Sequence, residues 1–494
     1  MICGFSFLLH LQTRGNALLL IIILGVGGTF QSGYHVTGLS SPSPFIKSFI
    51  NSSWYERHRE IPTPETVTMI WSLIVSLHAI GGLCGAVSVK FIAGIMGGKK
   101  GVICSSCVSI AAAVIMLMSK TANSFEMIIV ARILFGYASG LGGSLHMMYL
   151  GEISPKKIRG QITLTSANFV SLGKLSGQFF GLSEILGRED MWNVVLSLPA
   201  VFSVVQVVVF PFLPESPRHL FIEKGDEVAC KKALQSLWGP GEYKQEMDEM
   251  LVEQAAIEAA PPKSPLQLLR DRTVWWQLLT MVLIYWFNQL SGMSAISVFS
   301  FDIFMESGIP EHAIRYVTLS LGVCEIITSM SSSLVIDRLG RRPLFWGGYG
   351  AMSLIWILVT ITMNLKNSYS WVSYISAFMI VLIIVSFCGG PAGTGTLSSE
   401  IFIQSDRLSA FAIVGLLRWL AIAVIGFMFP FLIKALGSYS FVLFACMCLL
   451  ASLYTFFILP ETKGKTVLEI SQEFNAITVC RKSSPEEQTV ETTL

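Results

Sequence analysis

The stretch Tyr285-Trp286-Phe287-Asn288-Gln289-Leu290-Ser291-Gly292-Met293-Ser294 places amides, hydroxyls and a glycine inside an apolar run of membrane-spanning length. These groups offer hydrogen bonds, and the partner they suit is a solute rich in hydroxyls or carbonyls. At about 100° per residue, Asn288, Ser291 and Ser294 sweep roughly 120° of a helix, while Gln289 opens a second edge. An unpaired amide is costly in hydrocarbon, so such a helix must face protein or water, either lining a cavity or gluing itself to another helix. Ionisable groups also fall within apolar runs, among them His35, Lys174, Glu325 and Arg418. A charge facing lipid is expensive, so functional or paired roles are the expectation, and Glu325 with Arg418 can form an ion pair. His35 can titrate near neutrality.

The elements that must position these groups are membrane helices. Of 494 residues, 52% are hydrophobic and 13% charged, with a mean hydropathy of +0.63, which describes a polytopic membrane protein in contact with lipid. The net charge of +2 gives no argument for nucleic acid. The ten cysteines are expected to be free thiols, and Cys104 and Cys107, a CxxC without nearby His or acidic ligands, to pack rather than bind metal. No cleavable signal is convincing, so the first span is expected to serve as an uncleaved insertion signal.

Apolar runs predict twelve spans near 17–38, 67–92, 101–119, 126–149, 162–186, 191–213, 274–304, 313–336, 343–363, 373–399, 409–434 and 438–459. Most Lys and Arg residues fall in the connections that share a side with the termini, which indicates cytoplasmic termini. Asn51-Ser52-Ser53, in the loop after span 1, is a glycosylation sequon on the outer side. Counted from the inner span ends at Asp337 and Arg407, Glu325 and Arg418 lie about 17 Å deep at roughly 1.5 Å per residue, near the midplane. Lys174 shares a helical face with Ala167.

The charged segment 214–272, with helix-forming stretches at 223–237 and 242–260 around Gly239-Pro240-Gly241, links an N-terminal bundle, 1–213, to a C-terminal bundle, 273–459. A cytoplasmic tail, 460–494, follows. Gly98-Lys99-Lys100 answers Gly340-Arg341-Arg342, Glu152 to Arg159 answers Glu400 to Arg407, and Pro214-Glu215 answers Pro460-Glu461. These offsets of about 245 residues mark a parallel duplication of six spans.

With Gly33-Tyr34, Tyr149-Leu150-Gly151-Glu152 through Arg159-Gly160, Pro214-Glu215-Ser216-Pro217-Arg218, Gln289-Leu290-Ser291-Gly292, Asp337-Arg338-Leu339-Gly340-Arg341-Arg342 and Pro460-Glu461-Thr462-Lys463-Gly464, the chain resembles the facilitative hexose transporters of the sugar-porter family, in the major facilitator superfamily. Tyr285-Trp286-Phe287 makes it most similar to the fructose-type class, its eleventh-type member or a relative. The resemblance implies an all-α fold of twelve transmembrane helices in two six-helix pseudo-repeats. It also implies a small-molecule sugar as substrate, no cofactor, and sugar contacts at Asn288, Gln289 and Trp419. Gln178 matches a span-5 amide. The family's span-5 glutamine, span-7 asparagine and span-10 tryptophan fall here at Ala167, Ser294 and Gly395. His35 stands where proton-coupled relatives carry Asp and passive ones Asn.

Charged residues at span ends, namely Glu152, Arg159, Asp337, Arg338, Arg341, Arg342, Glu400 and Arg407, can pair across helices on the inner face, and the resemblance implies a latch that parts as the bundles rock. The expected function is hexose uniport, of fructose or glucose, with His35 neutral beside Lys174 and Arg418. Alternatives are transport of an organic anion or heterocyclic solute, suggested by Lys174 and Arg418, proton symport through His35, and a transporter-like sensor. No nucleophile–base or metal-ligand constellation points to an enzyme, and no phosphate-binding Gly-rich word points to an ATP-driven pump.

Overall fold

In the computed structural model the chain is almost wholly helical, and residues 16–154, 159–259, 261, 263–402, 404–465 and 467–479 are described. The side chains of Arg159, Asp337, Arg338 and Arg407, the surroundings of Gly395, and Cys3, Cys480 and residues 481–494 lie outside the described residues.

Among the described residues, ten stretches are long and apolar enough to cross a membrane. One of them, Ser409–Phe457, contains two crossings, the helices Gln404–Leu436 and Ser440–Phe457, which turn at Gly437–Tyr439. The helix Arg159–Phe180 takes the fifth place; Thr165, Ser166, Asn168 and Lys174 make it less apolar than the rest. The chain therefore crosses twelve times, in the order expected from its sequence. Span 1 is broken at Gly28 into Ala17–Gly27 and Thr29–Thr37, and span 6 at Leu198-Pro199 into Trp192–Ser197 and Ala200–Val209, where proline removes a helix donor. Span 2, Pro64–Met96, starts on a Thr63 cap with proline at its first position. Spans 3 and 4 are Gly98–Thr121 and Phe125–Ile153, and spans 8 to 10 are Glu311–Leu339, Arg341–Asn364 and Val372–Gly389.

Apolar burial cannot draw helices together in lipid, so close backbone approach does that work. Spans 2 and 4 meet so tightly that a Cβ on Gly136 would stand 1.9 Å from the His78 carbonyl oxygen. The same device joins spans 1 and 5, where a Cβ on Gly173 would stand 2.0 Å from the carbonyl oxygen of Phe30. The second half is held more by aromatic packing, as where Trp356 stacks on Phe441 with centroids 5.2 Å apart.

The linker forms Glu227–Trp238, Lys244–Ala259 and the short helix Pro265–Arg270, the last opened by a Ser264–Gln267 capping box. Its first helix is fastened to the first half, because Trp238 Nε1 donates to the Ile153 carbonyl at 3.0 Å and the Asn16 amide to Ser236 at 2.9 Å. Its end is fastened to the second half by Lys263, 2.6 Å from Asp271 and 3.4 Å from the buried Asp406. This face is the linker side. On the far side lies an additional helix, Ser43–His58, with Asn51 of the sequon exposed on it. The eight cysteines among the described residues are free.

The Lys263 ammonium and the donors of Thr273 hold the Asp271 carboxyl down at about 2, while Asp271 pushes Lys263 up. Because the folded value lies below the ordinary 3.8, the stabilisation is fully present above that value and is lost as pH falls towards 2. Asp271→Asn should therefore lower stability equally at pH 5.5, 7 and 8, by no more than about 1 kcal/mol for so open a pair. Thermal melts in detergent at the three pH values check this.

Candidate functional site

Span 7 is discontinuous where its polar stretch lies. Trp275–Leu290 ends, Ser291 and Gly292 turn, and Met293–Glu306 begins in a new direction. Gly292 has a φ of 92°, and a Cβ on it would meet Trp356 at 2.6 Å, so both conformation and space require glycine. The break changes the arc expected from an unbroken helix. Ser291 is fully buried inside the turn, its hydroxyl donating to the Asn288 carbonyl at 2.7 Å and its own carbonyl accepting from Trp356 Nε1 at 2.8 Å. Asn288, Gln289 and Ser294 are instead brought together, because Ser294 Oγ donates to Gln289 Oε1 at 2.7 Å and Gln289 Nε2 to Asn288 Oδ1 at 3.3 Å. Asn288 Nδ2 donates in turn to the Pro391 carbonyl at 3.0 Å. That carbonyl is free because the helix of span 10 gives way to a short tight turn, Pro391–Gly393, beyond Gly389.

Other expected site residues lie on the seams between the two halves. Trp419 of span 11 is half-buried against span 2: its ring lies 6.5 Å from that of His78, and a Cβ on Gly82 would strike it at 2.5 Å. The pairing of Glu325 with Arg418 is not what forms. Glu325 binds Lys174 of span 5 at 2.8 Å, whereas Arg418 is exposed. Gln178 is buried against Gly322, its Oε1 without a hydrogen-bond partner among the described residues. Positions 316, 322 and 325 of span 8 thus meet positions 184, 178 and 174 in antiparallel order.

His35 is buried inside the first half, its ring 4.2 Å from Phe135 and 5.9 Å from His78. The cation beside it is Arg132, whose Nη1 donates to the His35 carbonyl at 3.2 Å, rather than Lys174 or Arg418 as the sequence suggested. Sequence reasoning missed Arg132 and His78. An arginine in the apolar run of span 4 was the available signal, but its partners come from spans 1 and 2.

Contacts that tie one half to the other collect towards the far side. Lys47 binds Asp302 at 2.8 Å, Ser40 shares a hydrogen bond with Ser300 at 2.8 Å, and Arg315 donates to Ser41 at 3.0 Å while lying 5.3 Å from the rings of Phe45 and Phe301. Lys434 reaches the Pro64 carbonyl at 3.1 Å. On the linker side, the following contacts among the described residues lie within one half. Arg341 binds Glu400 at 2.7 Å, Glu461 accepts from the backbone amides of Arg341 and Arg342 at the start of span 9, and Glu152 bonds to Ser216.

Residues 20–474 match the family model described as "Sugar (and other) transporter". The chain is 42% identical to mouse solute carrier family 2, facilitated glucose transporter member 9, over 94% of its own length and 88% of that protein. It is 37% identical to human member 11, with 95% of each covered, and 36% identical to rat member 5, over 94% of this chain and 93% of that one. The likeness to an eleventh-type member is therefore present, and that to member 9 is greater. In fold it superposes on the inward open conformation of the xylose transporter XylE from E. coli with a TM-score of 0.75, at 18% identity, covering 93% of this chain and 99% of that one.

The break in span 7 yields a prediction. Gly292→Val forces a branched side chain into left-handed backbone and into Trp356, and should cost about 1 to 3 kcal/mol, seen as a lower melting temperature and loss of monodisperse protein. Gly347→Ala, with nothing within 4 Å of the added carbon, should melt like the parent.

Proposed function

The chain belongs to the sugar transporter family, and on that premise we propose that it is a uniporter, carrying a hexose such as fructose or glucose across a membrane by alternating access. The carrying observation is the amide cluster at the break in span 7. Asn288 and Gln289 are more than nine-tenths buried, yet Gln289 Oε1 is held by the part-exposed hydroxyl of Ser294, a donor that a sugar hydroxyl can replace in kind. A family member of this kind is a transporter and not an enzyme. The organic-anion alternative is weakened at Lys174, which Glu325 neutralises, while Arg418, its other motive, is exposed.

The linker side is the cytoplasmic side in this reading, supported by the excess of Lys and Arg there, and the membrane is the plasma membrane. Contacts collected on the far side then describe an inward-open state. In the outward-open state, the groups now paired within each half at the linker side, with Arg159, Asp337, Arg338 and Arg407, re-pair across it as a latch.

Two experiments test this. In proteoliposomes, fructose or glucose should equilibrate down its gradient, and with sugar equal on both sides an inward proton gradient should produce no net uptake. Uphill uptake that disappears in His35→Asn would make the protein a proton symporter. Gln289→Ala removes two hydrogen bonds of about 0.5 to 1.5 kcal/mol each, so the half-saturation concentration should rise by about 5- to 150-fold. An unchanged value in well-folded Gln289→Ala would remove the amide cluster from the site.

A further inference from the structure

The ion pair between Lys174 and Glu325 has a property that neither residue has alone. It joins the two halves, 2.8 Å across the seam of spans 5 and 8, with side chains 17% and 13% exposed. Cys388 of span 10 feels both charges, and three residues beyond it the Pro391 carbonyl accepts the amide of Asn288. Span 10 thus runs from the neighbourhood of the pair to the amide cluster. Among the described residues each head group makes this one side-chain bond, which leaves the ammonium two N–H donors and the carboxylate most of its lone pairs. Both remain part-exposed, so the spare donors and acceptors are not sealed off by protein.

We infer that this pair is a charge filter, a specificity-determining element that admits neutral polyhydroxylated sugars and excludes their anionic counterparts. The inference rests on the hexose reading above. A sugar hydroxyl both donates and accepts, so it can bridge Glu325 and Lys174 without changing the charge of the site. A carboxylate that takes the spare donors of Lys174 must stand beside Glu325, and that sets two carboxylates against one ammonium in a poorly solvated seam. Lys174 alone would attract anions; Glu325 cancels that attraction in place.

The test compares glucose with glucuronate, a hexose in which a carboxylate replaces the terminal hydroxymethyl group. Parent protein in proteoliposomes should take up glucose or fructose and very little glucuronate. Glu325→Gln leaves Lys174 uncompensated, and the ratio of glucuronate to hexose uptake should rise at least tenfold. Lys174→Gln should not raise it, and the double variant Lys174→Gln/Glu325→Gln, neutral again, should return the ratio to within about threefold of the parent. A ratio unchanged in Glu325→Gln, or raised equally in the double variant, would overturn the filter. If Glu325→Gln does not fold, the charge swap Lys174→Glu/Glu325→Lys keeps the site neutral and should reject glucuronate as the parent does; acceptance by the swap would equally overturn the inference. Glucuronate binding to the purified variants, read as a thermal shift, gives the same ordering without transport. A parent that carries no hexose at all would sink the uniport reading, while the order of the glucuronate shifts would still decide the filter.

Discussion

A buried amide inside a membrane must find its hydrogen bonds within the protein or in what the protein carries, and span 7 is built around that constraint. Asn288 and Gln289 could not be satisfied on a straight helix packed in hydrocarbon. The turn at Ser291 and Gly292 redirects the chain, so that Ser294 closes on Gln289 and the Pro391 carbonyl closes on Asn288. Each partner is itself the product of a helix interruption, one in span 7 and one in span 10. Irregular backbone at membrane depth is tolerated where it lines a solute path, and here two interruptions meet.

The two halves are tied by contacts of different kinds on different seams. Span 11 meets span 2 through an aromatic ring lodged over Gly82, a steric fit without charge. Span 8 meets span 5 in antiparallel register, with Tyr316 bonded to Glu184, Gly322 packed on Gln178 and Glu325 paired with Lys174. At the far rim, Lys47 with Asp302 and Arg315 with Ser41 complete the closure. Partly exposed pairs of this sort are each worth little, so the closed state rests on many weak contacts acting together. Such an interface can open without a single costly step, which suits a protein that must alternate.

The spans were legible because hydrocarbon imposes one length and one composition on every crossing. The duplication was legible because charged words recur at span ends. The span-5 helix shows where that signal fades: its Thr, Ser, Asn and Lys residues weaken the apolar run, and its place is secured by the order of its neighbours. Partner choice was the part that could not be read. Lys174 and Glu325 are 151 residues apart, and depth alone made Arg418 an equally good match for Glu325. The conformation of Gly292 was open to reading in principle, since glycine between a polar helix end and a new apolar run signals a break, but periodicity alone carried the arc straight through it. Arg132 was passed over beside His35 because its role depends on spans 1, 2 and 4 meeting in space.

In the proposed transport cycle, two helical halves rock about a seam that closes one side while the other opens. Distances between spin labels measure this directly, in a variant whose ten cysteines are replaced before pairs are introduced. One pair, at Glu56 and Tyr439, reports the far side; another, at Ile95 and Leu339, reports the linker side, and all four positions are exposed. With hexose added, a population should appear in which the far-side distance lengthens and the linker-side distance shortens by a comparable amount. Distances that stay fixed, or that move in the same direction on both sides while sugar is being transported, would contradict the account.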